Sequence, residues 1–149
     1  MKADAKTTDA VLGTLKTLWT AYVHKDLDGV MACWVPEEHI FVYGAGADEF
    51  CASAKKLRKG YQRDFEQSGE LVVKLGRQSV YAAGDTAWAV GALVIASKTG
   101  KQVAAVEGRC TMVFVRREGK WLVAHSHFSV PNAAQKKGAS FPERKKAKE

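Results

Sequence analysis

Residues 107–131, EGRCTMVFVRREGKWLVAHSHFSVP, constrain the fold more than any other stretch. Two runs of alternating apolar residues flank Arg116-Arg117-Glu118-Gly119-Lys120, the composition of a tight turn. Glycine takes a positive φ there at little cost, and the charges hold the tip in water. The stretch therefore predicts an antiparallel hairpin. Successive side chains of a strand point to opposite faces. Val103, Ala105, Glu107, Arg109, Thr111 and Val113 then share one face of the first strand, and Val106, Cys110, Met112 and Phe114 the other. On the return strand, alternation groups Trp121, Val123, His125, His127 and Ser129 against Leu122, Ala124, Phe128 and Val130, with Ser126 the one polar member of the second group. A polar row on an otherwise apolar strand is either buried and hydrogen-bonded or lines a cavity. The expectation is a cavity, with Arg109 pointing into it, His127 close by and Glu107 nearer the mouth.

The rest of the chain supplies helices first and strands later. Thr7-Thr8-Asp9 offers a helix cap, and Val11, Leu12, Leu15, Leu18, Trp19, Tyr22 and Val23 then recur at helical spacing. A second, short helix is expected over 27–34, stopped by Pro36. Residues 39–43 alternate as a strand, with His39, Phe41 and Tyr43 on one face. After the Gly44-Ala45-Gly46-Ala47 loop, Asp48 is expected to cap a third helix carrying Phe50, Ala54, Leu57, Tyr61 and Phe65. Strands over 71–81 and 86–96 precede the hairpin. Helices followed by a meander of long strands make the class α+β.

A chain of 149 residues suits one domain. The division expected is an extension over 1–7, the domain over 8–131 and a basic, disordered tail over 132–149, which holds +4 of the net charge of +7. No base-stacking platform or recognition-helix pattern accompanies the tail, which argues against a nucleic-acid partner. The longest apolar run, 87–96, is too short to cross a bilayer. The first residues lack a secretory pattern. Cys33, Cys51 and Cys110 show no CxxC spacing, so three free thiols and a cytoplasmic location are expected, with no metal. The glycine loop lacks a phosphate-loop lysine and fits no dinucleotide fingerprint, so no cofactor is expected.

The Gly119-Lys120-Trp121 turn followed by Val-Ala-His-Ser-His-Phe-Ser-Val-Pro resembles the last hairpin of the SnoaL-like branch of the NTF2-like superfamily. It also resembles the association domain of calmodulin-dependent kinase II, where a similar His-x-His-x-Ser ends a strand. Arg109-x-Thr111-x-Val113 and the Lys-Asp-Leu-Asp-Gly junction at 25–29 fit the SnoaL-like pattern. The resemblance implies a cone: a curved antiparallel sheet with about three helices closing its concave face. With the polar row inward, the outer face would carry Val106, Cys110, Met112, Phe114, Leu122, Phe128 and Val130. That is too much apolar surface for water, and a homodimer packed through the sheet is expected.

A cone of this kind holds a small molecule in a mostly apolar cavity with a few polar groups. The ligand-binding candidates are Arg109, which can grip a carboxylate bidentately, Thr111, and the aromatic residues Trp19, Tyr22, Tyr43, Tyr61 and Trp88. The catalytic candidates are His127 and His125, which exchange protons near neutral pH, and Glu107, as base or as the group orienting a histidine. Superfamily isomerases and cyclases rely on carboxylic acids in the cavity. Here neither 39–43 nor the final hairpin contains an aspartate, and Glu107 is the carboxylate that the sheet offers. Three classes stay open: a cofactor-independent isomerase, cyclase or lyase acting on a small acidic or aromatic substrate, a non-catalytic binder, and an oligomerisation module.

Overall fold

The computed structural model describes residues 1–36 and 40–142. Helix α1 spans Ala5–Val23, and its cap is Asp4, whose carboxylate accepts from the Thr7 N–H at 2.7 Å. The helix thus starts before the Thr7-Thr8-Asp9 cap expected from sequence. The residues ahead of it pair with the sheet: the Ala3 N–H donates to the Val80 carbonyl at 3.1 Å, and the Ala82 N–H to that of Met1 at 3.0 Å. Helix α2, Leu27–Ala32, is capped by Asp26, and α3, Ala54–Gln67, by Ser53. Phe50 does not open α3 as expected. It lies in a two-residue strand, β2 (Phe50–Cys51), paired with β1 (Phe41–Tyr43). His39, placed in this first strand by its alternation, lies outside the described residues.

Four long strands follow: β3 (Glu70–Ala83), β4 (Thr86–Thr99), β5 (Gln102–Arg117) and β6 (Lys120–Ser129). The six form one sheet in the order β2-β1-β6-β5-β4-β3, antiparallel except for β1 beside β6. This is the α+β architecture read from the sequence. Val11, Leu18, Val30, Ile40, Phe114 and Val123 are its largest fully buried side chains, so the core lies between the helices and one face of the sheet. Among the described residues no helix is long and apolar enough to cross a membrane.

The two faces of the hairpin are the reverse of the expected assignment, and a bulge supplies half of the reason. Val113 pairs with His125, but the next residue, Phe114, pairs with Val123, which leaves Ala124 as an extra residue in β6. One inserted residue moves every later side chain to the opposite face. Trp121 and Val123 therefore point toward the helices, and beyond the bulge Ser126 takes their place in the interior. His125 and His127 turn outward. On β5, Cys110, Met112 and Phe114 are the buried members, so Glu107, Arg109 and Thr111 also lie on the outer face. Trp88 joins them, stacked on Tyr81 with ring centroids 5.8 Å apart. The apolar row invoked for a dimer surface is thus mostly the inner wall.

Gly108 shows how tightly that wall is built. A methyl group there would meet the Phe128 ring at 2.5 Å and the Ser129 carbonyl oxygen at 2.6 Å. Backbone cannot give way as a flexible side chain does. Gly108→Ala is expected to cost about 1–3 kcal/mol, read as a lower urea midpoint with an unchanged slope. A midpoint equal to that of the parent would show the ring and strand to be looser than described.

Candidate functional site

Between the helices and the inner face of the sheet lies a cavity of about 840 Å³. Its floor is the inner row of the hairpin, Cys110, Met112, Ser126 and Phe128, with Val42 of β1 beside Ser126. The Cys110 Sγ and Ser126 Oγ lie 3.7 Å apart. Helices α1 and α3 supply the roof through Trp19, Tyr22, Leu57, Tyr61 and Asp64. The rim is the loop after β1 together with Lys56, Lys59 and Arg63 of α3. Arg63 holds that loop through Asp48 at 2.7 Å and Glu49 at 3.5 Å.

Four of the aromatic candidates meet here. Trp19, Tyr22, Tyr43 and Tyr61 all line the cavity. Tyr22 is the hub: its ring lies edge-on to Trp19 at 5.4 Å and to Tyr61 at 5.9 Å. The other sequence candidates are elsewhere. Glu107, Arg109, Thr111, His125, His127 and Trp88 do not line the cavity. Arg109 and Glu107 are exposed, and among the described residues neither forms an ion pair. The His125 Nδ1 sits 2.5 Å from the Phe41 carbonyl oxygen, and the His127 ring is 5.6 Å from that of Tyr43. The expected cluster of Arg109, His127 and Glu107 inside the cavity is therefore corrected: these residues share a face, but it is the outer one.

Asp64, an ionisable group that lines the cavity from α3, was not among the sequence candidates. It lies three residues after Tyr61 on α3, so it shares the inward stripe of that helix. The Tyr22 hydroxyl donates to its Oδ2 at 3.1 Å. Burial pushes the carboxyl above its ordinary value of 3.8. The Tyr22 hydrogen bond and the Arg63 charge oppose the rise, and the nearby Glu49 charge adds to it. The last turn of a helix, where the backbone presents negative ends, also disfavours a carboxylate. Burial likewise raises the phenols of Tyr22 and Tyr61, so both remain proton donors. The signal available in sequence was an acidic residue on the apolar stripe of an amphipathic helix.

An apolar, ring-lined chamber with one raised carboxyl and two phenols can hold a small organic molecule and move a proton on it. Solved structures similar to this chain share its fold. An NTF2-like protein from Pseudomonas putida KT2440 is 20% identical, with a TM-score of 0.77, covering 97% of this chain and 100% of that one. A Streptomyces avermitilis protein of the NTF2-like family, provisionally assigned as a dehydratase, is 15% identical with a TM-score of 0.79, over 88% of this chain and 100% of its own. A Xanthomonas campestris protein, provisionally assigned as a calcium/calmodulin dependent protein kinase II association domain, is 18% identical with a TM-score of 0.73, over 88% and 90%. No curated protein matches the chain. The profile of the SnoaL-like domain matches residues 11–133, so the chain belongs to the SnoaL-like domain family.

Proposed function

We propose that the protein is a cofactor-independent proton-transfer enzyme, of isomerase, cyclase or lyase type, acting on a small ring-bearing molecule held in the cavity. The observation that carries this reading is Asp64: a carboxyl in an apolar wall, raised by burial and hydrogen-bonded to Tyr22. No cation lies within salt-bridge distance of it among the described residues. A carboxyl whose affinity for protons is raised toward neutrality is a better general base once ionised and a usable acid once protonated. Tyr22 and Tyr61 stay protonated, so either can donate to an oxygen that gains charge as the C–H bond breaks. Trp19, Tyr43 and Phe128 give the rings of a substrate flat apolar surfaces. Dehydration is proton-transfer chemistry, and the provisional dehydratase from S. avermitilis has this fold.

The test is hydrogen exchange in D2O at carbons next to the carbonyl of a panel of cyclic ketones, followed by NMR. The parent protein is expected to exchange at least one member, and Asp64→Asn to lose about 10²- to 10⁴-fold of that rate. Ketones that bind without exchanging would assign the cavity to binding alone.

A second reading concerns the β1–β2 end of the sheet, where Phe41, Tyr43 and Phe50 are each 44–50% exposed and lie against one another, Tyr43 and Phe50 also bordering the cavity. Rings in contact yet half in water favour self-association through this end of the sheet. This is the surface on which two copies would meet, in place of the row that turned inward. Light scattering is expected to show a dimer that Tyr43→Glu converts to monomer. A parent protein already monomeric at high concentration removes this reading.

A further inference from the structure

The rim of the cavity carries an imbalance of charge that the proton-transfer reading does not use. Helix α3 presents several cations, and two of them, Arg58 and Arg63, are engaged. Arg58 is held by Asp28 at 2.5 Å, and Arg63 by Asp48 at 2.7 Å and Glu49 at 3.5 Å. Glu49 also accepts from the Gly46 N–H at 2.8 Å. The two carboxylates of the rim are therefore satisfied. Lys56 and Lys59, three residues apart and so neighbours on one helix face, both line the cavity. Among the described residues neither has a carboxylate within salt-bridge distance.

We propose that the ligand of this cavity is an aromatic carboxylate, its ring enclosed by Tyr22, Tyr61 and Phe128 and its carboxylate held at the rim by Lys56 and Lys59. The inference rests on the cavity reading above and adds the chemical class and the orientation of the ligand. Orientation follows from charge: an ionised Asp64 repels the anionic end, the two ammonium groups attract it, and the apolar floor receives the ring. The reacting carbon then lies on the ring side, next to Asp64, while the anion anchors the molecule at the mouth. Arg109, the cation expected for this task from sequence, lies on the other face of the sheet and cannot share it.

The experiment compares 2-naphthoate with 2-naphthamide, which have the same ring and differ in charge. Binding is measured by calorimetry on the full chain at low and high salt. The parent is expected to bind naphthoate about tenfold more tightly than the amide, the combined effect of two partly solvated ion pairs. High salt is expected to shrink that preference. Lys56→Gln with Lys59→Gln is expected to abolish the preference and leave the affinity for naphthamide unchanged. Asp64→Asn, which tests the proton-transfer reading, removes a carboxylate that repels the anion and is expected to keep or enlarge the preference. Equal affinities in the parent, or a preference that survives the double substitution, overturns the carboxylate assignment alone. Binding of neither compound overturns the cavity reading and this inference with it.

Discussion

Replacing Phe114 with Ala is expected to destabilise the protein by about 3–5 kcal/mol. Phe114 is fully buried, and its partners on the neighbouring strands, Ala87 and Val123, are fully buried too. Removing the ring loses its transfer free energy and leaves a void that flanking strands cannot fill, because the β4–β5–β6 register fixes their spacing. For a chain of this length the melting temperature should fall by on the order of 10 °C. The matched control is Arg109→Ala, five residues back on β5 and on the opposite face, expected to change stability by about 0.5 kcal/mol or less. Had the polar row faced inward, the two costs would be reversed. A Phe114→Ala cost below about 1 kcal/mol, against the size expected for a buried ring, would contradict the face assignment on which the cavity depends.

That assignment was the part of the hairpin that the sequence could not decide. Alternation correctly grouped Glu107 with Arg109 and Thr111, and it located the turn at Gly119, where φ is +78°. What it left open was which group faces the helices, because a row of polar side chains fits a cavity wall or solvent equally well. The bulge at Ala124 then broke the parity of β6 without any local mark. Trp121, Val123, His125, His127 and Ser129 look like one uninterrupted face in sequence, with no glycine to announce the irregularity. The helices were easier, since apolar spacing of three and four has few alternative explanations. Phe50 is the exception: a two-residue strand is too short to leave a period, so its aromatic ring joined the neighbouring helical stripe.

Part of the site was legible for the same reasons. Trp19, Tyr22 and Tyr61 sit on helix stripes, and a residue on such a stripe faces the sheet whatever the strand register is. Asp64 lies on the same stripe and could have been found by the same rule. His125 and His127, the acid–base candidates on the strand, lie on the face of the sheet away from the cavity.

Asp64→Asn should also leave a pH signature in stability. The carboxyl of Asp64 is raised in the folded protein by burial first, with Glu49 adding to the rise. The folded state therefore binds the Asp64 proton more tightly than the unfolded state does. This contribution is fully present below the ordinary value of 3.8, and it is lost as pH rises through the higher folded value. Asn is neutral throughout and carries no such dependence. Relative to the parent, Asp64→Asn should be more stable at neutral pH, and the advantage should vanish toward acid. Asp4 and Asp48 shift the opposite way, lowered by the Thr7 backbone N–H and by Arg63 respectively, so they add an ordinary acid loss common to both proteins. The difference between the two stability curves isolates Asp64. A difference that grows toward acid would reverse the sign and place the carboxylate, not the acid, as the form favoured by folding.

Proton-transfer rate and stability should then share one titration. Exchange catalysed by the parent is expected to rise with pH as Asp64 ionises and to level above its folded value. The most direct measurement is a carbon NMR titration of the Asp64 carboxyl in the full chain, assigned by its absence in Asp64→Asn. The account predicts a midpoint clearly above 3.8 that coincides with the rise in exchange rate. A midpoint at or below 3.8 would show a solvated or ion-paired carboxylate and contradict the assignment of Asp64 as the acid and base of the cavity.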